Sequence, residues 1–238
     1  MASSTLGKFE IGETCIELES SSITFQPTLL TRLLAKHVPI SKGSTVLDLG
    51  CGVGVLAINA ALQGAKSVTA IDIMPEACEL ARANARRNGV EDRMNVYCGD
   101  LFDPIPDAKF DIIINDVSGV AEEVARISPW YPPSIPSGGF DGADIIVPML
   151  LLAPQHLNPG GVIYFPTGTI SNIPRTLAAA ETAFGKNVSL VSETDVPFVR
   201  EFNENIDAMM RMKDEGLIDF TTRRSRHLWQ LQIYKAWL

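Results

Sequence analysis

A chain of 238 residues, 46% of them hydrophobic, suits one domain with a sizeable core and a modest extra segment. Its net charge of −8 and pI near 4.9 oppose a polyanion, and the one dense basic cluster, "RRSR" at Arg223–Arg226, is too small to argue for DNA or RNA. The richest apolar run, "IIVPMLLLAP", is short and broken by Pro148 and Pro154, which excludes a membrane span and leaves a small molecule or a protein segment as the expected partner.

The N-terminus, "MASSTLGKFE", lacks a basic stretch followed by an apolar one, so no secretory signal is expected. Cys15, Cys51, Cys78 and Cys98 stand in no metal-ligand spacing and read as reduced thiols of a cytoplasmic protein. The sequon at Asn187 carries no weight in that compartment. His37, His156 and His227 likewise show no ligand spacing, and no metal site is expected.

In chain order, "PTLLTRLLAKHV" (27–38) predicts an amphipathic helix. From residue 44 short β-branched runs alternate with helical segments, the pattern of a parallel α/β sheet. Strands are predicted at 44–50, 67–73, 93–99 and 109–116, with helices at 53–65 and 74–90, the second opened by Pro75 and stopped at Asn88-Gly89. A Pro-, Gly- and Ser-rich loop follows, then a helix (143–157), a strand (160–168), a helix (173–185) and two final strands (187–196 and 227–237). Between those strands lies a helical insert in which Phe202, Ile206 and Met209 share a face, with Met209, Met210 and Met212 read either as adaptable surface or as core packing. The expected fold is a doubly wound, mostly parallel seven-stranded sheet with an antiparallel last strand. Residues 1–43 form an N-terminal segment and substrate-side helix; residues 44–238 form the main domain, with loop 117–142 and insert 197–226 as a lid.

The strongest motif is "VLDLGCGVGVLAI". Gly50, Gly52 and Gly54, with Cys51 between them, follow a strand and open a helix, where backbone can pass close beneath a ligand and free N–H groups are on offer. Asp72 ends the second strand eighteen residues after Gly54, where a carboxylate accepts ribose hydroxyls, with Ile73 beside it. Asp100 ends the third strand, suited to an adenine amine next to the apolar Leu101 and Phe102. Asp48 is placed to fix the glycine turn or to meet a ligand ammonium. The spacing G-x-G-x-G, with Val55 where a dinucleotide fingerprint has its last glycine, disfavours NAD.

This constellation resembles the class I S-adenosylmethionine-dependent methyltransferases, with their Rossmann-like fold, from Val46 onward. Segment 115–145 resembles the release-factor glutamine methyltransferases: "SGGFDGADI" (Ser137–Ile145) matches the later part of their loop, and Phe25 and Thr28 of "FQPT" sit before the substrate-side helix. "NARRNGVEDR" is similar to a segment of ribosomal-protein methyltransferases. In the glutamine enzymes Asn-Pro-Pro-Tyr holds a planar amide nitrogen. Here Asn115 is kept, but Asp116-Val117-Ser118 replace the rest, so Trp130 or Tyr131 must supply any aromatic wall.

The resemblance implies S-adenosylmethionine as cofactor and methyl transfer to a nitrogen or oxygen of a small molecule or protein side chain. Asn115 would position the nucleophile, and Asp116 would either accept a proton or cap the turn through backbone hydrogen bonds. Ser118 is either a substrate contact or a turn cap. The altered "NDVSG" also admits a cyclase or lyase that consumes the cofactor and releases methylthioadenosine. A nicotinamide-dependent oxidoreductase and a non-catalytic cofactor-binding subunit stand further back.

Overall fold

The computed structural model describes residues 4–238, which divide into two compact units. The first holds the chain up to Asp116 with Gln155–Phe165 and Trp237–Leu238; the second holds Val117–Pro154 and Pro166–Ala236.

The first unit begins with a hairpin absent from the sequence-based expectations, β1 (Ser4–Ile11) and β2 (Thr14–Ser21). Its signal is legible in retrospect: "FEIGETCIEL" alternates apolar and polar residues around a two-residue Gly-X turn. Gly12 takes a positive φ of 56° there, and Phe9, Ile16 and Leu18 turn inward. The hairpin's outer strand is finished by side chains rather than by a third strand. Asn84 accepts from Glu19 N–H at 2.7 Å and donates to its carbonyl at 2.9 Å; Asn88 does the same for Glu17 at 3.0 and 2.8 Å. Both asparagines lie four residues apart on or at the end of α3 (Pro75–Arg87), so one helix face presents two amides at the pitch of alternate strand residues.

Five parallel strands lie in the order β5 (Met94–Cys98), β4 (Ser67–Asp72), β3 (Thr45–Leu49), β6 (Phe110–Asn115) and β7 (Leu157–Gly168), the last shared between the units. The central strands β3 and β6 are almost wholly buried, as their apolar runs require, while the edge strand β5 buries only Met94. Helix α1 (Leu29–His37) starts at Thr28, which forms a reciprocal capping pair with Thr31. Helix α2 (Val55–Leu62) is buried over seven successive residues, Val55 to Ala61, which marks it as an interior helix.

In the second unit β8 (Val188–Pro197) and the short β9 (Thr221–Arg223) pair antiparallel with β10 (Arg226–Trp237), so the mostly parallel sheet ends in antiparallel strands. The basic cluster "RRSR" is the β9–β10 turn: Arg224 and Ser225 take positive φ of 49° and 69°, and Arg223 pairs with Asp195 at 2.7 Å. Helix α4 (Glu122–Ile127) lies inside the segment expected to be loop. Helix α5 (Ile146–Leu152) is shorter than expected, because Pro148 fits only the first turn and Pro154 ends the run in a 3-10 turn. Helix α6 (Ile173–Phe184) precedes β8, and α7 (Arg200–Glu204) and α8 (Ile206–Asp214) make up the insert.

The predicted lid segments pack on each other. Trp130 meets Phe202 edge-on at 5.2 Å, and Glu123 pairs with Arg211. Met209 and Met212 are fully buried, so core packing and not adaptable surface describes those two, while Met210 between them is exposed.

"SGGFDGAD" is held rigidly. Asp141 accepts from Asn172 (2.9 Å), Arg175 (2.8 Å) and its own Ala143 N–H (3.1 Å), while Asp144 takes Arg175 at 2.6 Å. At Gly142, with φ of 83°, a Cβ would come within 2.5 Å of the Ser171 Cβ and 2.8 Å of the Ala121 nitrogen. Gly142→Ala is therefore expected to cost about 3 kcal/mol, read as a lowered urea midpoint; a loss under about 0.5 kcal/mol would show the loop yields freely. Among the described residues no helix is long and apolar enough to cross a membrane.

Candidate functional site

The glycine turn closes the end of β3. Gly50 and Cys51 donate to the Ile71 carbonyl at 2.9 and 3.0 Å, and Gly54 donates to Cys51 at 2.8 Å. Gly54 starts α2 at a φ of 90°, and any Cβ there would lie 3.2 Å from that of Ala81 on α3. The turn therefore needs glycine both for its conformation and for the close approach of α3.

Asp72 locks this turn from the neighbouring strand. One carboxylate oxygen accepts from Gly52 N–H at 2.8 Å and the other from Met74 N–H at 2.8 Å. Burial raises its pKa, against the lowering effect of the Met74, Gly52 and Ile73 amides. Asp72 is half-buried, and Ile73 after it is 52% exposed, an apolar surface at the strand end. On the next strand Gly99 N–H donates to the Asp72 carbonyl at 3.0 Å, which places Asp100 and Leu101 beyond the β5 end. Asp100 is exposed, and Leu101 takes a left-handed φ of 41°, a conformation that costs a branched side chain strain.

Asp48 is fully buried within β3. One oxygen accepts from Ala57 N–H at 2.9 Å; the other has no hydrogen-bond partner. Burial pushes its pKa up to about 7, with the Asp72 charge adding to the rise and the Ala57 amide opposing it. Cys51 is buried as well, and burial followed by the Asp48 and Asp72 charges raises its thiol well above the ordinary range, so it is an inert neutral group.

At the end of β6, Asn115 is fully buried and faces Leu49 in register, and Asp116 N–H donates to the Leu49 carbonyl at 2.9 Å. Asp116 is half-exposed at its residue surface, yet its carboxyl is driven well above the usual range by burial and then by Asp48 and Asp72. The Thr31 hydroxyl opposes that rise by hydrogen-bonding Asp116. Thr31 is the contact that sequence reasoning missed. Its oxygen also accepts from Thr28 N–H at 3.2 Å, so the start of α1 is tied to the strand end that carries Asn115 and Asp116. The available signal was a threonine three residues after a helix-starting threonine. Thr28 serves as the helix cap, and Phe25 lies half-buried in the same lead-in.

Of the three carboxyl groups, Asp72 thus adds to the proton affinity of Asp48, and both add to that of Asp116. Burial and the Asp48 and Asp72 charges favour the protonated form of Asp116, so a positive neighbour would favour its acting as a proton acceptor. The folded chain holds protons on these acids that the unfolded chain, with carboxyls near 3.8, has released. Their contribution to stability is complete below that value and is lost as pH rises through about 7 for Asp48. Asp48→Asn keeps the acceptor for Ala57 and is expected to raise the melting temperature near pH 8 by about 2–4 °C, with little change near pH 4. Equal shifts at both pH values would refute this account.

The remaining predicted residues lie in the second unit. Tyr131 is buried, and its hydroxyl lies 2.6 Å from the Ser118 hydroxyl and donates to the Pro136 carbonyl at 2.7 Å. Trp130 is half-buried against Phe202. In the first unit His156 is structural, stacked on Phe102 at 4.1 Å with Nδ1 3.0 Å from the Ala108 carbonyl. Among the described residues no cluster of three or more His, Cys, Asp or Glu could hold a metal ion.

The family profile described as "Ribosomal protein L11 methyltransferase (PrmA)" matches residues 27–138, which contain every glycine and acid of this site. The ribosomal protein uL3 glutamine methyltransferase of Bradyrhizobium diazoefficiens is 38% identical over 144 residues, covering 58% of this chain and 43% of its own. The release factor glutamine methyltransferase of Cereibacter sphaeroides is 33% identical over 178 residues, covering 72% of this chain and 63% of its own. The chain thus spans less than half the length of the first relative and under two thirds of the second. Among solved structures, the T. thermophilus 16S rRNA N2 G1207 methyltransferase in complex with AdoMet and guanosine superposes with a TM-score of 0.62 over 98% of this chain and 50% of that one, at 17% identity, a likeness of fold alone.

Proposed function

We propose that this chain, a class I S-adenosylmethionine-dependent methyltransferase, methylates a nitrogen of a protein side chain, with the glutamine amide as the first acceptor to test. The observation that carries the reading is the placing of the Asp72-locked glycine turn, at the end of β3, beside Asn115 and Asp116 at the end of the neighbouring strand β6. The glutamine methyltransferases among the relatives support a protein side chain over a small molecule.

The residues present fit the cofactor. The partnerless buried oxygen of Asp48 and the raised acids Asp48 and Asp116 suit a cationic ligand. Asp72 keeps lone pairs for a ribose diol at a strand end, and Ile73 and Leu101 offer apolar surface to a base with Asp100 beside them. When bound, S-adenosylmethionine supplies a sulfonium methyl open to in-line displacement.

The chain's own part is positional. Asn115 holds the acceptor nitrogen, and the rigid β3–β6 pairing fixes where its amide stands. Asp116, lowered toward ionisation by a nearby cation, takes the proton the acceptor gives up, and Thr31 keeps its carboxyl oriented. A cytoplasmic location goes with acceptors such as ribosomal proteins and release factors, the substrates named for the relatives.

Incubation with labelled S-adenosylmethionine and glutamine-bearing ribosomal or release-factor proteins tests the reading. Label on a glutamine amide, with S-adenosylhomocysteine as co-product, supports it. Methylthioadenosine as the product, or absence of transfer to every protein offered, defeats it.

A further inference from the structure

The sequence places Cys78 and Cys98 twenty residues apart with no motif between them, yet the fold sets them side by side, with Cys78 Sγ against the carbonyl of Tyr97, the residue before Cys98. Cys78 sits in the first turns of α3, fully buried; Cys98 ends β5, exposed. Their sulfurs address successive carbonyls of one short stretch: Cys78 Sγ lies 3.3 Å from the Asp72 oxygen and 3.4 Å from that of Tyr97, and Cys98 Sγ lies 3.7 Å from the Ile73 oxygen. Asp72 and Cys98 are also register partners in the β4–β5 ladder. The pair therefore rests on the two strand ends, Asp72–Ile73 and Gly99–Asp100, that the proposed cofactor contacts use.

We infer that Cys78 and Cys98 are a reversible dithiol site that closes to a disulfide by exchange with a small-molecule disulfide, and that closure weakens ligand binding at the adjoining strand ends. The order of events follows from exposure. Cys98, open to solvent, attacks the reagent as its thiolate; the reagent's S–S bond breaks, one small thiol leaves, and a mixed disulfide remains on Cys98. Cys78 then loses its proton and attacks Cys98 Sγ, expelling the second small thiol, so two protein thiols are oxidised as one reagent disulfide is reduced. Burial, then Cys98, push the Cys78 thiol up to about 12, which makes this second step the slow one.

The consequence for the site is local. Closure removes the thiol proton that Cys78 directs at the Asp72 carbonyl and draws Cys98 toward α3, shifting the residues before Asp100. A change of that kind is expected to raise the Kd for S-adenosylhomocysteine roughly tenfold, a perturbation of hydrogen-bond size.

The coupling to ligand affinity rests on the cofactor reading above, so the test has a readout independent of it. The full chain, carrying Cys15→Ser to remove the other exposed thiol, is incubated with oxidised glutathione, alkylated and examined by intact mass and peptide mapping. Expected are a Cys78–Cys98 cross-link, its reversal by dithiothreitol, its absence in Cys98→Ser, and altered amide exchange over residues 72–74 and 99–101 without added ligand. Calorimetry with S-adenosylhomocysteine then compares the two forms. A stable mixed disulfide on Cys98 that never closes onto Cys78 overturns the proposal, as does closure with unchanged exchange and unchanged Kd. Reduced protein that binds no S-adenosylhomocysteine sinks the cofactor reading instead, while the cross-link and exchange data still decide the thiol pair.

Discussion

Asn115→Ala is expected to lower methyl transfer about a hundredfold while leaving S-adenosylhomocysteine affinity within about threefold. The asymmetry follows from where the side chain stands. Asn115 closes β6, is fully buried, and is locked by pairing with Leu49 and by the Asp116 amide on the Leu49 carbonyl. Its amide is therefore delivered to one place by the rigid middle of the sheet, as positioning an acceptor demands. Displacement by about an ångström has effects of the size given. Single-turnover kinetics with a protein acceptor measure the first quantity and calorimetry the second, with a thermal melt to confirm folding. Asn115→Asp, which keeps the shape and one acceptor but loses the amide donor, should also be slow; full activity in that variant would show the amide is not the positioning group.

Asp72→Ala is expected to do the reverse, weakening cofactor binding by about 1–3 kcal/mol and sparing the rate at saturating cofactor. Two losses combine. The carboxylate itself is removed from the strand end, and Gly52 N–H and Met74 N–H lose the acceptor that holds the glycine turn against β4. Asp72→Asn retains one carbonyl acceptor and should fall between. Calorimetry on both variants beside Asn115→Ala separates the roles: an equal loss of affinity in the Asp72 and Asn115 variants would contradict the division of labour. Binding should also be stronger in the variants that keep the acid cluster, since Asp48 and Asp116 carry raised pKa values that a cation relieves.

The core of the fold was legible because the parallel strands are β-branched runs buried on both faces, such as "VTAID" and "FDIII", and the helices between them carry stops such as Asn88-Gly89 and Gly64. The glycine turn was equally plain, since a strand followed by three glycines at that spacing has few other uses. What the chain concealed were features made by side chains from distant segments. The β1–β2 hairpin is completed by Asn84 and Asn88, some seventy residues on, and no local pattern advertises that an asparagine will stand in for a strand. Helix α4 is too short to show a period, and β9 is three residues long. The methionines stayed undecided for a related reason: Met209 and Met212 sit three residues apart and turn inward, while Met210 between them does not.

The sequence by itself determined the class of the molecule, through hydrophobic periodicity and the local stiffness of β-branched and glycine residues, and it named the acids at the strand ends. Only the tertiary structure decided how those acids behave. Asp48, Asp72 and Asp116 are ordinary carboxyls along the chain; brought together on three strands and stripped of water, they become weak acids that complement a cation. The same assembly gave Asp116 its hydroxyl partner in Thr31 and set Cys78 against Cys98. Proton affinity and thiol pairing depend on distance and desolvation, quantities that exist only once separate strands and helices have packed.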